Sequence, residues 1–263
     1  MNTQEKEQRP DDINAVNSNK KGISGLIENA FRQFKNFGFI LVLSPIALLY
    51  IFCIGVALTP GIMLLQLIQQ HLMTIHASLI VSSLLYGIGL GFTFLFFVIT
   101  IVFVVPLVNL PLIPLVRSYR GPWFSLESLA WYYHNALTYL VRYTILEFLT
   151  PSPLNILFYR MMGMKIGKGV MINSTNISDP CLLILEDYVT IGGSAYLMAH
   201  YGVKGFLIID KLHIKKGAMI GLGAKILGGV TIGEKATVLP NSAVLPKTII
   251  KDGEKFGVNS AHL

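Results

Sequence analysis

The stretch IKKGAMIGLGAKILGGVTIGEKATVLPNSAVLP, Ile214 to Pro246, decides the fold of this chain. An aliphatic residue returns at every sixth position: Ile214, Ile220, Ile226, Ile232, Val238 and Val244. Four residues after each of the first five stands a small or modest side chain: Ala218, Ala224, Val230, Ala236 and Ser242. Neither the 3.6-residue period of a helix nor the 2.0 of a simple strand produces that combination. A fixed period of six is the pattern of a hexapeptide parallel β-helix, whose rungs each bury one aliphatic side chain and stack into a continuous core. Gly221 and Gly233 directly follow their aliphatic residue, where a positive φ or a missing Cβ helps the chain bend.

Working upstream, the register continues through Leu197, Ile191 and Leu185, steps irregularly across Asp179-Pro180-Cys181, and resumes at Ile172 and Ile166. That makes about eleven rungs, or between three and four coils. Between Leu197 and Ile214 the segment Tyr201 to Leu212 reads as an insertion.

The N-terminal half is different. No Asp, Glu, Lys or Arg occurs from Asn36 through Val116, while both flanks carry them. Over the whole chain 53% of residues are hydrophobic and 13% charged, against roughly 25% charged in a soluble domain. The run is too long for one bilayer crossing of about 20 residues and suits two. We place these at about Phe37–Leu58 and Leu79–Val105, with Thr59-Pro60-Gly61 breaking the helix and Gln69, Gln70, His71 and His76 as polar punctuation. A signal peptide is disfavoured by the long polar lead. Lys20, Lys21, Arg32 and Lys35 precede the first crossing and Arg117 and Arg120 follow the second, so both termini and the β-helix are expected in the cytoplasm.

The expected divisions are 1–35, a disordered tail ending in a short amphipathic helix (Leu26, Ile27, Ala30, Phe31 and Phe34 at helical spacing); 36–116, the membrane segment; 117–163, an aromatic helix and connector; and 164–263, the β-helix. The aromatic helix, Trp123 to Leu149, carries Trp123, Trp131, Tyr132, Tyr133, Tyr139 and Tyr143. Its aromatics suit a helix lying on the bilayer, and its spacing suits one packed on the next domain equally well. The path of 106–122, punctuated by Pro106, Pro111 and Pro114, is left open. Two cysteines, Cys53 and Cys181, make no disulfide framework. The net charge of +7 comes without a basic, aromatic-interleaved run, so no nucleic-acid partner is expected, and juxtamembrane Lys and Arg account for the excess.

The segment Ile214 to Pro246 resembles the hexapeptide-repeat acyltransferases, and FGVNSAHL at 256–263 looks like a degenerate form of that family's closing segment. TPSPLNILFYRMMGMKIGKGV and LLILEDYVTIGGSAYLMAH, behind an aromatic helix, are similar to the membrane-bound β-helix domains that end some non-ribosomal peptide synthetases of the polylysine-synthetase type. The resemblance, not the period, implies a left-handed coil. It also implies a homotrimer, acetyl-CoA or another acyl-CoA (or a carrier thioester) as donor in a groove between subunits, and a histidine general base, with no metal expected. The acceptor is expected to be a small molecule or, since a membrane anchor raises the effective concentration of an amphiphile, a lipid-linked one.

On that resemblance His200, where the chain leaves the coil, is the expected base. A neutral imidazole can take a proton from a hydroxyl or amine as it attacks a thioester. Its orienting carboxylate is not assigned by sequence, and Glu186 and Asp187, one coil away, are the nearest candidates. The donor positions carried over are Gly223, Pro240, Ser242 and Lys247, although Pro240 offers no N–H. His213 is expected to point outward as a surface residue, His134 and His262 to be unremarkable, and His71 and His76 to lie across the membrane. Other readings are a non-catalytic trimeric membrane scaffold and a zinc-dependent carbonic-anhydrase-like β-helix needing three histidines.

Overall fold

The computed structural model describes residues 21–33, 35–123 and 125–257. The expectations for the N-terminal tail, Phe34, His262 and most of the closing segment therefore fall outside the described residues.

The C-terminal part is a left-handed parallel β-helix with three faces. One face stacks Lys165–Ile166, Leu183–Leu185, Leu212–Ile214, Thr231–Ile232 and Ile249–Ile250. The second stacks Met171–Ile172, Thr190–Ile191, Met219–Ile220, Thr237–Val238 and Lys255–Phe256. The third stacks Tyr196–Leu197, Lys225–Ile226 and Ala243–Val244, with Ile177 bridging to Leu197 below. The aliphatics of the six-residue register pair with each other in parallel, as in Leu185↔Ile214↔Ile232↔Ile250, and Ile214, Ile220, Ile226, Ile232, Val238 and Val244 are all buried. Burying each is worth about 1.5–3 kcal/mol. Ala195, Ala199, Ala218, Ala224 and Ala236 have no exposed surface, because the space beside each corner admits only a short side chain.

The coil is longer than its repeat suggests. Ile177 completes the lowest coil, and Ile250 and Phe256 add two sides above Val244. The corner glycines also act differently from one another. Gly221 has an ordinary φ, and a Cβ there would sit 2.5 Å from Pro240 N of the next coil. The positive φ falls two residues later, at Gly223 (+66°), and recurs at Gly229, Lys235, Asn241 and Lys247. Gly221 is thus required by close backbone approach and Gly223 by its dihedral.

The N-terminal half begins with α1 (Ile23–Gln33), α2 (Lys35–Thr74) and α3 (Leu79–Asn109). Thr59-Pro60-Gly61 does not end a helix: α2 continues through it, and the reversal comes at Ile75–Ser78, with His76 at φ +47°. Gly61 lies against Thr93 of α3, whose hydroxyl donates to Gly61 O at 3.2 Å, so α3 packs closely on this part of α2. Likewise α3 runs through Pro106 to Asn109. A 3-10 turn, Ile113–Leu115, then leads to strand Tyr119–Pro122, which settles the path of 106–122.

Helix α4 (Leu126–Val141), capped by the Ser125 hydroxyl, passes through a π-helical turn, Arg142–Leu146, into α5 (Glu147–Leu149). It is the packed helix of the two alternatives: Trp131, Leu137, Leu140 and Val141 are buried between α2, α3 and the coil. Tyr50 of α2 donates to Ala136 O at 2.6 Å. Helix α6 (Pro153–Met161) closes the lower end of the coil with Phe158 and Tyr159, both fully buried.

The insertion is a hairpin, His200–Val203 with Phe206–Ile209, turned at Lys204-Gly205, both of positive φ. Phe206–Ile209 pairs on its other edge with Tyr119–Pro122. At the root of the hairpin Asp210 N donates to Ala199 O at 2.7 Å, so the chain leaves and rejoins the coil at one point.

Candidate active site

His200 stands at this root, its side chain 18% exposed. Its Nδ1 lies 2.7 Å from Oδ2 of Asp179. A carboxylate can only accept, so Nδ1 carries the proton and the lone pair is on Nε2. Neither Glu186 nor Asp187 orients His200. Glu186 Oε1 is instead 2.7 Å from His213 Nε2 and its Oε2 accepts from Lys216 N, while Asp187 Oδ1 accepts from Lys168 N. Both carboxylates serve the corner below the strand that carries His213. His213 does point outward from its strand, but it is paired rather than bare.

Asp179 is fully buried, with φ +57° and ψ +47°. Four donors surround its carboxylate: Trp131 Nε1 and Asn135 Nδ2 at 2.6 Å on Oδ1, and Ala199 N at 2.8 Å and His200 Nδ1 on Oδ2. Asn135 Oδ1 in turn accepts from Asp179 N at 3.1 Å, which holds the left-handed backbone. Burial alone would push this carboxyl up; the bonds and charge from His200, with those from Asn135 and Trp131, outweigh it and hold the group below its ordinary range. The indole of Trp131 also meets the His200 ring edge-on, with centroids 4.9 Å apart, and Trp123 and Tyr132 pack on Trp131. Burial and then the charge of nearby Asp179 push the Cys181 thiol up to about 12, which keeps it protonated near neutral pH.

More of α4 fastens to the same lowest coil. Tyr139 meets Ser178 at 2.9 Å between hydroxyls, Arg142 bonds Asn176, and Glu147 accepts from Thr175. His134, expected to be unremarkable, is buried, with Nδ1 2.9 Å from Asn109 Oδ1 at the end of α3. Burial lowers it to about 4, against the opposing pull of Asp179.

The donor positions divide between two corners. Gly223, Pro240 and Ser242 share the corner between the second and third faces, where Gly221 backs onto Pro240. Lys247 is on the corner of His200: Gly228 lies against Ala199 and His200, and Lys247 N donates to Gly228 O. The face between the two corners presents Tyr196, Lys225 and Ala243 outward. Sequence reasoning singled out His200 but not Asp179, Trp131 and Asn135, which the structure gathers around it.

No protein-family model matches the chain. Over 135 residues, 51% of this chain, it is 27% identical to a delta-poly-L-ornithine synthetase from Acinetobacter baumannii, of which it covers 10%. Solved structures that match include a hexapeptide-repeat acetyltransferase from Vibrio cholerae, 17% identical over 45% of this chain and 82% of that one, TM-score 0.38. A maltose O-acetyltransferase from Clostridium difficile is 18% identical over 52% and 89%, TM-score 0.37. A serine acetyltransferase in complex with CoA is 22% identical over 51% and 55%, TM-score 0.30. The chain thus spans a tenth of the curated relative's length and about half of that serine acetyltransferase's. Six-residue rungs stacked on three faces make its C-terminal part a hexapeptide-repeat β-helix, similar in kind to these acetyltransferases.

Proposed function

We propose that this chain is a membrane-tethered acyltransferase in which His200 is the general base. The observation that carries the reading is the His200–Asp179 pair: a partly exposed imidazole whose Nδ1 is fixed by a buried, ionised carboxylate and whose Nε2 is left as a base. Nε2 takes the proton of a hydroxyl or amine as that oxygen or nitrogen attacks the thioester carbonyl carbon. The new C–O or C–N bond forms, the C–S bond breaks, and the proton passes from Nε2 to the departing thiolate. Asp179 keeps the ring oriented and stabilises the imidazolium.

The donor is acyl-CoA or a carrier thioester, laid along the corner of Gly223, Pro240 and Ser242, with Lys247 offered to its phosphates. A homotrimer would close the groove over the exposed third face. The candidate spans Leu43–Thr74 and Leu79–Asn109 have mean hydropathies of 2.3 and 2.8, and their most apolar windows are only 17% and 28% buried. Core helices of a soluble protein would be mostly covered, whereas these present their apolar surface outward. Lys35, Arg117 and Arg120 at the helix ends support a cytoplasmic coil.

The test is thiol release from acetyl-CoA by the full chain in vesicles, with primary-amine and hydroxyl acceptors. Release by the parent and its loss in His200→Ala supports the reading. Equal turnover by His200→Ala removes the histidine from the mechanism.

A further inference from the structure

The fold ties His200 to the point where the chain leaves its apolar segment, by two routes. Through the inserted sheet, His200 pairs with Ile209 and Ile209 with Tyr119, so His200 and Tyr119 are two strand spacings apart, about 10 Å. Tyr119 is only two residues beyond Arg117, the first charge after the uncharged run. Through α4, the His200 ring touches Trp131, Trp131 is one turn from His134, and His134 meets Asn109, the last residue of α3. Side chains three apart on a helix lie about 5–6 Å from each other, so the base is within roughly 15 Å of that helix end.

Helix α1 gives an independent indication of level. It buries its glutamate and bares its aliphatics: Glu28 is 1% exposed, whereas Ile23 is 77%, Leu26 70% and Ile27 41% exposed. The Glu28 carboxylate accepts from Leu126 N, at the start of α4, at 3.2 Å. A helix that turns its acid toward the protein and its aliphatic side away, one residue from a 40-residue apolar helix, fits a bilayer surface as the cover of that side. That bond joins α1 to the helix that holds Asp179. Leu107, Leu110 and Leu115 are also exposed beside the same exit.

We infer that the acceptor is a bilayer-resident amphiphile whose reacting hydroxyl or amine stands in the headgroup layer, level with His200. The inference rests on the acyltransferase reading and on two spanning helices. The headgroup region adds about 5–8 Å on each side of the apolar core. The two routes hold His200 about 10 Å from Tyr119 and within roughly 15 Å of the end of α3, so the base stands beside that layer rather than far out in solvent. An acceptor confined to that layer meets Nε2 at a far higher local concentration than a dissolved one.

Two measurements on the full chain in phosphatidylcholine vesicles test it. The chain has two tryptophans, Trp131 against the His200 ring and Trp123 packed on Trp131, so their fluorescence reports the level of the site. Lipids carrying a nitroxide on the headgroup are expected to quench it more than lipids labelled near the chain terminus; no quenching by either, or deeper labels quenching more, overturns the inference whatever the activity. In the second measurement, acyl transfer from acetyl-CoA is followed to phosphatidylethanolamine in the vesicles and to dissolved glycerophosphoethanolamine. At least a tenfold preference for the lipid is expected. Equal rates overturn the acceptor class and leave acyl transfer standing. No transfer to either overturns the acyltransferase reading and the acceptor class with it, while the quenching result separately decides the level of the site.

Discussion

The indole Nε1 of Trp131 donates to Oδ1 of Asp179 across 2.6 Å, so the carboxylate that aims His200 is gripped by a helix outside the coil. Replacing Trp131 by Phe keeps much of the ring packing and deletes that donor. A hydrogen bond to a charged group contributes about 1.5–3 kcal/mol, and Trp131→Phe is expected to lose about that much stability at pH 7. Because the folded Asp179 titrates below its ordinary value, its contribution is present above about 3.9 and is lost as pH falls through the depressed folded value. The deficit of Trp131→Phe should therefore shrink as the pH is taken down through the acid range below about 3.9, which unfolding in detergent over a pH series from 7 downward will show.

On the proposed reading, His200 and the Asp179 that positions it separate kinetically. His200→Ala is expected to lower kcat by about 10²–10⁴ with little change in the KM for acetyl-CoA. Asp179→Asn should also lower kcat, because an amide nitrogen facing Nδ1 no longer fixes the tautomer. Initial rates of thiol release over a range of acetyl-CoA concentrations will distinguish kcat from KM effects.

His134 makes stability fall in mild acid. The folded protein keeps it neutral down to about 4, while the unfolded chain protonates it near 6.5. Between those values the unfolded state binds more protons, so stability drops as pH drops, by about 3 kcal/mol in all. His134→Gln, which has no such titration, should show a flatter profile from pH 6.5 to 4. Matching slopes in thermal unfolding would contradict the buried, neutral assignment.

The coil discriminates between its two kinds of position. Ile226→Ala, at a site with no exposed surface, is expected to cost about 2–5 kcal/mol. Met219→Ala, on the half-exposed outside of a rung, should stay within about 0.5 kcal/mol. Chemical unfolding of the two variants beside the parent measures the difference.

The rungs were legible because one buried position per side repeats without interruption from Ile214 to Val244, and burial leaves little choice of residue there. Asp179 was not, for a reason of spacing. Ile172 to Ile177 is five residues rather than six, so Ile177 drops out of a strict repeat, although it bridges to Leu197. Once Ile177 is aligned with Leu197, Asp179 falls level with Ala199 and beside His200; that alignment was the available signal. Trp131 and Asn135 left no comparable mark. Their partner is 48 and 44 residues away, and an aromatic helix beside a long apolar segment reads the same whether its indole N–H meets a bilayer surface or a carboxylate. Thr59-Pro60-Gly61 misled because a proline within an apolar run reads as a helix end, while α2 continues through it with Gly61 packed against Thr93 of α3.

The closure between Asp210 N and Ala199 O makes the hairpin an appendage that the stack beneath it does not register. Such a pinch lets the arm be lengthened, shortened or exchanged in evolution or by design, with the staircase of rungs rising unaltered. On the proposed reading, new preferences among acceptors can then be acquired by rewriting only the residues beyond the pinch (Tyr201 to Ile209) and leaving the rest of the gene alone.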